Sequence, residues 1–385
     1  MLVGEKTRED HYVLPPGGKV GKGWNKLMPT LEALPLRLYP KRDRVFYSVQ
    51  WLPDRIAERV GRVAPDLVNL HWINEGFLRI ETLARFNRPI VWTLHDSWPF
   101  TGGCHVPYDC DRYTASCGAC PQLNSGTERD LSRWVWKRKS KAWKSLDLTV
   151  VVPSAWLAAC ARKSSLFHDR NIEVIPNGLD LDVYRPVDKT VARNLLRLPL
   201  GKRIILFGAV AATSDRNKGF HLLLPALHRL RDMGWQEKVE VVIFGAGEPK
   251  DPVDLGFKAH YLGRLNDDLL LALAYSAADL MTVPSLQESF GQTASEALSC
   301  GTPVLAFNAT GLKDIVDHQV NGYLARPYEA EDLASGMGWI LEDQDRHRSL
   351  CASARKKAEQ HLAVQLQAGR YQNLYDRILE SANWS

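Results

Sequence analysis

Two doubly wound, Rossmann-like α/β domains are what this sequence predicts, on three observations. Short β-branched runs alternate with longer amphipathic stretches, the pattern of parallel sheets with crossover helices. The 385 residues exceed what one hydrophobic core usually organises. A turn-forming cluster, Ile175-Pro176-Asn177-Gly178, interrupts the alternation near the middle, and a fresh α/β unit begins at Lys189.

Strands are expected at Asp66 to His71, Pro89 to His95, Leu146 to Val152 and Ile172 to Ile175 in the first half. The second half offers Ile204 to Val210, Glu240 to Phe244, Ala259 to Leu262, Asp279 to Val283, Pro303 to Ala306 and Tyr323 to Leu324. Helical patterns lie between the later strands, at Phe220 to Met233, Asn266 to Ser276 and Gln292 to Ser299. The domains are therefore placed at 1–178 and 188–362, with 363–385 as a terminal helix that could pack back toward the first domain. No internal repeat or low-complexity tract is present, which excludes a solenoid.

Apolar residues make up 45% and charged residues 24%, the usage of an ordinary globular protein. No apolar run approaches the roughly 20 residues of a membrane span, and Met1 to Asp10 lacks the pattern of a secretory signal, so a cytoplasmic location is expected. The seven Cys are then expected to be thiols or metal ligands. A net charge of +5 suits nucleic acid, an anionic membrane or a phosphorylated small molecule alike.

The strongest chemical signal is Pro284-Ser-Leu-Gln-Glu-Ser-Phe-Gly-Gln-Thr-Ala-Ser-Glu296, a strand end leading through a Gly turn into a helix. Ligands of parallel sheets gather at the carboxyl ends of strands, where a helix start offers free amides to a phosphate. Ser289, Phe290, Gly291, Gln292 and Thr293 would form that phosphate-facing segment, with Glu296 accepting from a ribose and Glu288 from the hydroxyls of a sugar. The competing reading makes Glu288 a capping carboxylate and Glu296 a solvated helix residue. After the strand Ile204 to Val210 comes Ser214-Asp215-Arg216-Asn217-Lys218-Gly219. Arg216 and Lys218 could neutralise the charge that develops on a departing diphosphate, or decorate a solvated loop.

These residues carry a resemblance to the GT-B glycosyltransferases, specifically the large retaining group known as family 4, over nearly all of Asp66 to Gln360. The Glu-x7-Glu pattern at Glu288 and Glu296, Pro176-Asn177-Gly178 and Lys218-Gly219 stand at the spacing usual in that group. The resemblance implies a nucleotide-diphosphate sugar as donor, Lys218 on its diphosphate, Glu296 on its ribose and Glu288 on the transferred sugar. It also implies metal-independent transfer with retained anomeric configuration. Many members place an Arg after the strand's Gly, whereas Ala209 follows Gly208 here, and Arg216 is the candidate substitute. His95, in Thr93-Leu94-His95-Asp96, resembles the His that members place beside the anomeric carbon, giving Glu288, His95 and Lys218 as the catalytic set. His71, Trp72, Asn74 and Glu75 are candidates for the acceptor cleft, and backbone around Gly263 to Leu265 for the base.

Four thiols, Cys104, Cys110, Cys117 and Cys120, fall within seventeen residues. The Cys-x2-Cys end is a bidentate clip and the other two could complete a structural zinc site; two loop disulfides or free thiols are the rivals. His105 is a possible further ligand. This insertion resembles a polysaccharide-biosynthesis branch related to colanic acid glycosyltransferases, which implies a glycan or lipid-linked acceptor. Leu131 to Leu146 carries six cations and three Trp with no acid. It reads either as a peripheral membrane contact or as a packed helix with a solvated basic face. Asp180-Leu-Asp182 mimics a metal-binding motif of another transferase fold, at an improbable place.

A first domain of this type ordinarily opens with a strand, a Gly-rich turn and a helix. Met1 to Thr7 resembles the second strand instead, so an opening βα unit of about 25 to 30 residues is expected to be absent. Two rival classes stand beside the enzyme: a catalytically silent GT-B partner subunit, and a zinc-containing nucleic-acid-binding protein. The second leaves the Glu pair unexplained, and no nucleic acid is expected as partner.

Overall fold

The computed structural model describes residues 1–3, 11–14 and 18–382. The chain divides into two compact units, one of residues 1–152, 157–174 and 374–385, the other of residues 153–156 and 175–373.

The first unit holds a parallel sheet in the order β1 (Val68–Leu70), β2 (Ile90–Thr93), β3 (Leu148–Val152), β4 (Asn171–Val174). Every residue of β2 and β3 is buried, as expected where crossover helices cover both faces. Under the sheet lies an aromatic core in which Trp92 meets Trp143 edge to face at 5.1 Å. Residues 4–7 of the expected N-terminal strand lie outside the described residues, and Leu2 makes an isolated bridge to Leu14.

The helix Leu131–Trp143 is a packing helix. Asp130 caps it by accepting from the Arg133 amide at 3.1 Å, and Ser132, Val135, Lys139 and Trp143 are buried. Arg138 reaches the Glu81 carboxylate at 2.7 Å, and Arg133 reaches Glu128 at 2.6 Å. Of the six cations that suggested an anionic membrane, Arg133, Arg138 and Lys139 are thus committed to protein partners, while Lys137, Lys141 and Lys144 are exposed. Of the three Trp, Trp143 is core, Trp136 is half-buried and Trp134 is 45% exposed.

The second unit holds six parallel strands in the order β10-β9-β8-β5-β6-β7. These are β5 (Arg203–Gly208), β6 (Val239–Phe244), β7 (Ala259–Tyr261), β8 (Leu280–Val283), β9 (Val304–Phe307) and β10 (Gly322–Ala325). The two-residue period of the strands sorts their side chains into two cores. Ile204, Leu206, Val242, Met281 and Val283 join the helices Asp268–Ala277, Gln292–Ser299 and Gln344–His361. Ile205, Phe207, Val241, Ile243 and Leu280 join Phe220–Leu230 and Ala330–Glu342 on the other face.

Chain order reverses between β5 and β8. From β5 the chain builds outward through β6 and β7, then returns to lay β8 on the opposite side. The connections after β5 and β8 therefore lead to helices on opposite faces of the sheet, the switch point at which open α/β sheets form their ligand crevice. At the turn into this unit, Leu179 donates to the Leu362 carbonyl and accepts from the Val364 amide, at 2.7 and 2.9 Å. A Cβ on Gly178 would stand 2.6 Å from Val364 Cα, so this approach requires glycine. Asp180 accepts from the Asp182 amide at 3.0 Å, closing a local turn of the kind Asp favours. Its resemblance to a metal motif is accidental.

Candidate functional site

The two loops that flank the β5/β8 crevice are tied together by Asn217. Its side-chain nitrogen donates to the Gln287 carbonyl at 2.9 Å, its side-chain oxygen accepts from the Gln287 amide at 3.2 Å, and its carbonyl accepts from the Leu286 amide at 2.8 Å. Asn217 is buried, so these bonds replace the water its amide would otherwise hold. Gly219 makes the approach possible: its φ is +75°, and a Cβ there would fall 1.8 Å from the Pro284 carbonyl oxygen.

The result is a meeting of two predicted residues. Lys218 Nζ lies 2.8 Å from Glu288 Oε1, with the lysine side chain 24% and the carboxylate 18% exposed. The Glu288 backbone is held in turn, its amide donating to Thr310 Oγ1 at 3.1 Å and its carbonyl accepting from the Gly311 amide at 2.9 Å. Arg216, on the same loop, is exposed and helps depress the His221 pKa, behind the larger effect of burial.

The helix Gln292–Ser299 opens at Gly291, whose φ is +109°. A Cβ there would meet Leu312 Cδ2 at 2.6 Å, so glycine is required both for conformation and for space. No side chain caps this helix start. Its first amides and dipole remain available to an anion. Phe290 is core, so only its backbone could serve a ligand. Gln292 is exposed and Thr293 half-buried.

Glu296 is not a solvated helix residue. It is buried, its Oε2 accepts from the Tyr275 hydroxyl at 2.6 Å, and burial pushes its pKa up to about 7 against the bonds from Tyr275 and Gln292. A carboxylate kept dry one helical turn from a phosphate-ready helix start is poised to accept hydroxyl donors.

In the first unit, His95 follows β2 and His71 follows β1, and register carries both past the same sheet edge. His71 Nδ1 lies 3.0 Å from His95 Nε2, and the rings stack at 5.3 Å. Desolvation holds both imidazoles below their ordinary pKa; the neighbouring His95 lowers His71 further. One of the two therefore donates and the other accepts in a neutral pair. Asp96 was not singled out by the sequence, yet it organises this edge. It accepts from the Trp98 amide at 2.8 Å, from the Trp72 indole at 3.2 Å and from His105 Nδ1 at 2.7 Å. Burial opposes its ionisation, but the His105 contact and these donors hold its pKa below the usual range. Trp72 remains 43% exposed and stacks on Phe46, 49% exposed, at 5.8 Å and 25°. Asn74 is buried, which removes it from a cleft lining, whereas Glu75 is exposed.

All four thiols of the insertion line one cavity, and all seven cysteines are free. Among the described residues no three His, Cys, Asp or Glu side chains are already gathered around a metal position. His105 has both ring nitrogens engaged, with Asp96 and with Ser48 Oγ at 2.9 Å. None of the described helices is long and apolar enough to cross a membrane.

Two parallel-sheet α/β units, with an anion-ready crevice in the second, define the GT-B class of two-domain transferase folds. The family matches agree: residues 11–183 match the model for Glycosyltransferase Family 4, and residues 188–360 the model for Glycosyl transferases group 1. The chain thus carries the paired domains of that glycosyltransferase family. A D-inositol 3-phosphate glycosyltransferase of Xylanimonas cellulosilytica is 36% identical over 201 residues, 48% of this chain and 46% of the relative. The chain spans about half the length of the curated relatives of that kind. An uncharacterized glycosyltransferase of Methanocaldococcus jannaschii is 25% identical over 72% of this chain and 71% of its own. Among solved structures, the fold is shared with sucrose-phosphate synthase from Thermosynechococcus elongatus, at TM-score 0.65 and 24% identity over 85% of this chain and 77% of that one. It is shared too with Anabaena HepE in complex with UDP and glucose, at TM-score 0.60 and 21% identity over 83% and 81%.

Proposed function

We propose that this protein transfers a sugar from a nucleotide-diphosphate donor to a glycan or lipid-linked acceptor, with retention at the anomeric carbon and without a catalytic metal. The observation that carries the reading is the Lys218–Glu288 pair at the switch point of the second sheet, beside the uncapped helix start at Gly291.

Each member of that group has a job in the chemistry. Donor binding exchanges partners: the diphosphate takes Lys218 and the helix amides, while a sugar hydroxyl takes Glu288. Glu296, as carboxylate, accepts from the ribose hydroxyls. When the bond from C1 to the diphosphate oxygen breaks, the new charge falls on oxygens already facing Lys218 and the helix dipole, with Arg216 nearby on the same loop. Preorganised charge of this sort stabilises the transition state without further rearrangement. The acceptor hydroxyl bonds C1 from the face the diphosphate leaves, and its proton passes to a diphosphate oxygen. No protein nucleophile is needed, and Glu296, committed to Tyr275 and the ribose, is not a hydrolase carboxylate.

His95, His71, Trp72 and Phe46 are assigned to the acceptor side. An exposed, stacked aromatic pair beside neutral imidazoles offers a flat face for a sugar ring and hydrogen-bond partners for its hydroxyls. The neighbour found with UDP and glucose supports a uridine nucleotide as the first donor to try.

A thermal-shift screen of nucleotide sugars, followed by mass analysis of products formed with glycan and lipid-linked acceptors, tests the reading. Stabilisation by one donor class with a new glycosidic product is expected. Stabilisation without turnover on any acceptor would mark a silent partner subunit, and no stabilisation by any nucleotide would overturn the proposal.

A further inference from the structure

Besides the donor crevice, the structure gathers a second set of chemically capable side chains that transfer does not use. Cys104, Cys110, Cys117 and Cys120 come from three turns of the insertion, and all line a cavity of about 20 Å³ together with Tyr47, Thr101 and Arg112. That volume matches one water-sized body.

The backbone of the Cys-x2-Cys segment is pinned on successive residues: the Gly118 amide donates to Ser132 Oγ at 2.8 Å, the Ala119 amide to the Thr127 carbonyl at 2.9 Å and the Cys120 amide to Asp130 Oδ2 at 2.8 Å. Cys117, Gly118 and Ala119 take φ of +50°, +104° and +42°, three successive left-handed residues that fold the Cys-x2-Cys segment into a knuckle. A Cβ at Gly118 would stand 2.5 Å from the Glu128 carbonyl oxygen. Non-glycine residues hold such conformations only where their surroundings fix them.

Charge supplies an independent reason. Lys139 is fully buried, and its ammonium donates to the carbonyls of Trp98 and of Thr101, the latter at 3.0 Å, over the Trp98 ring at 3.5 Å. Among the described residues it has no carboxylate within ion-pair distance, the nearby Glu128 and Glu81 being taken by Arg133 and Arg138; burial pushes its pKa well below the usual range, and Cys117 and Cys104 are the groups that most oppose that shift. A buried cation without a counter-charge is costly. Four thiolates on a divalent ion carry two net negative charges, which would supply one.

We propose that these four cysteines bind one Zn²⁺ as a structural tetrathiolate site whose anionic charge is compensated by Lys139. Binding draws the four sulfurs inward on the cavity by side-chain rotation and releases their thiol protons to solvent. Zinc accepts four sulfurs tetrahedrally and asks for no redox partner. The site also has a consequence for the acceptor edge. Cys104 pairs in an antiparallel bridge with Tyr47, and the next residue, His105, holds Asp96 and Ser48. Clamping Cys104 therefore fixes the His105–Asp96 pair, making the metal a positioning element for Trp72 and His95.

The test is metal content of the full chain purified under reducing conditions from zinc-replete cells, with thiol titration in parallel. One zinc per chain is expected, released by an organomercurial, with cobalt(II) chloride giving the intense sulfur-to-metal charge-transfer absorption of a tetrathiolate. Cys110→Ser and Cys120→Ser should lower bound zinc at least tenfold, whereas Cys160→Ser should keep it. Should Cys120→Ser fail to fold, zinc removal from the wild-type chain by chelator, with a lower thermal transition restored by zinc chloride, decides. Nucleoside diphosphate affinity should stay within about twofold on zinc removal, because the donor residues lie in the other unit, so failure here is separable from failure of the transferase reading. Less than a tenth of a zinc per chain with no cobalt band, disulfides among the four, or full zinc in both ligand variants would overturn the inference.

Discussion

Replacing Lys218 by Ala separates a phosphate-binding lysine from a decorative loop cation. Its ammonium is 2.8 Å from Glu288 and about three-quarters shielded from water, so its bond to a diphosphate oxygen should be worth about 1.5 to 3 kcal/mol, the range for charged hydrogen bonds. That loss weakens nucleoside diphosphate binding by roughly 10- to 150-fold, since 1.4 kcal/mol is a factor of ten. At a ligand concentration of about 100 times the wild-type Kd, the nucleotide stabilises the wild-type chain by about 2.7 kcal/mol. A variant with about 100-fold weaker affinity gains only about 0.4 kcal/mol under the same conditions. Differential scanning calorimetry with and without nucleotide reads this directly, and calorimetric titration gives the affinities. Turnover should fall further, by about 100- to 1,000-fold, because charge on the leaving group is greatest in the transition state. Lys218→Arg should recover part of the binding. An undiminished thermal response in Lys218→Ala, with turnover within a few-fold of wild type, would refute the role given to this residue.

Other outcomes follow from the same geometry. Gly291→Ala should destabilise the protein by about 1 to 3 kcal/mol in urea unfolding, since alanine at φ +109° is strained and its Cβ collides with Leu312. Glu296, with its pKa up at about 7, should strengthen nucleotide binding as pH rises from 6 to 8 and the carboxylate forms; a titration series should show Glu296→Gln flattening that rise. The same raised pKa means that the contribution of Glu296 to stability is full below about 4.5 and is lost as pH rises through about 7, so unfolding of the ligand-free Glu296→Gln variant should lack that decline. Trp72→Ala should raise the acceptor KM at least tenfold while leaving nucleotide affinity within twofold, as measured by initial rates and calorimetry.

How much of this was legible beforehand depends on the range of the interactions involved. Eight of the ten strands were visible as runs with β-branched residues, because buried parallel strands need apolar side chains on both faces, whereas Ala259–Tyr261 and Gly322–Ala325 have none; the ends moved by one or two residues where caps and turns decide. The helix Gln292–Ser299 was read at its true bounds, since Gly291 marks its start and Gly301 follows its end. Lys218 and Glu288, 70 residues apart, could be joined only through resemblance, because the Asn217 bridge that brings them together is a tertiary contact without a local pattern. Burial of Glu296 against Tyr275 was hidden for the same reason, and the solvated alternative was wrong there. Asp96 was overlooked although it sits beside His95; a carboxylate directly after a strand-end His was the available signal. For Leu131–Trp143 the sequence left a membrane contact and a packed helix side by side; Val135, Lys139 and Trp143, which recur every four residues, mark the buried stripe.

The central claim is most directly met by a structure of the protein with a nucleoside diphosphate bound. The account predicts phosphate oxygens within hydrogen-bond distance of Lys218 Nζ and of the amides at Gly291 to Thr293, with the Lys218–Glu288 bond opened and the ribose on Glu296. A nucleotide seated elsewhere, with that ion pair intact, would contradict it.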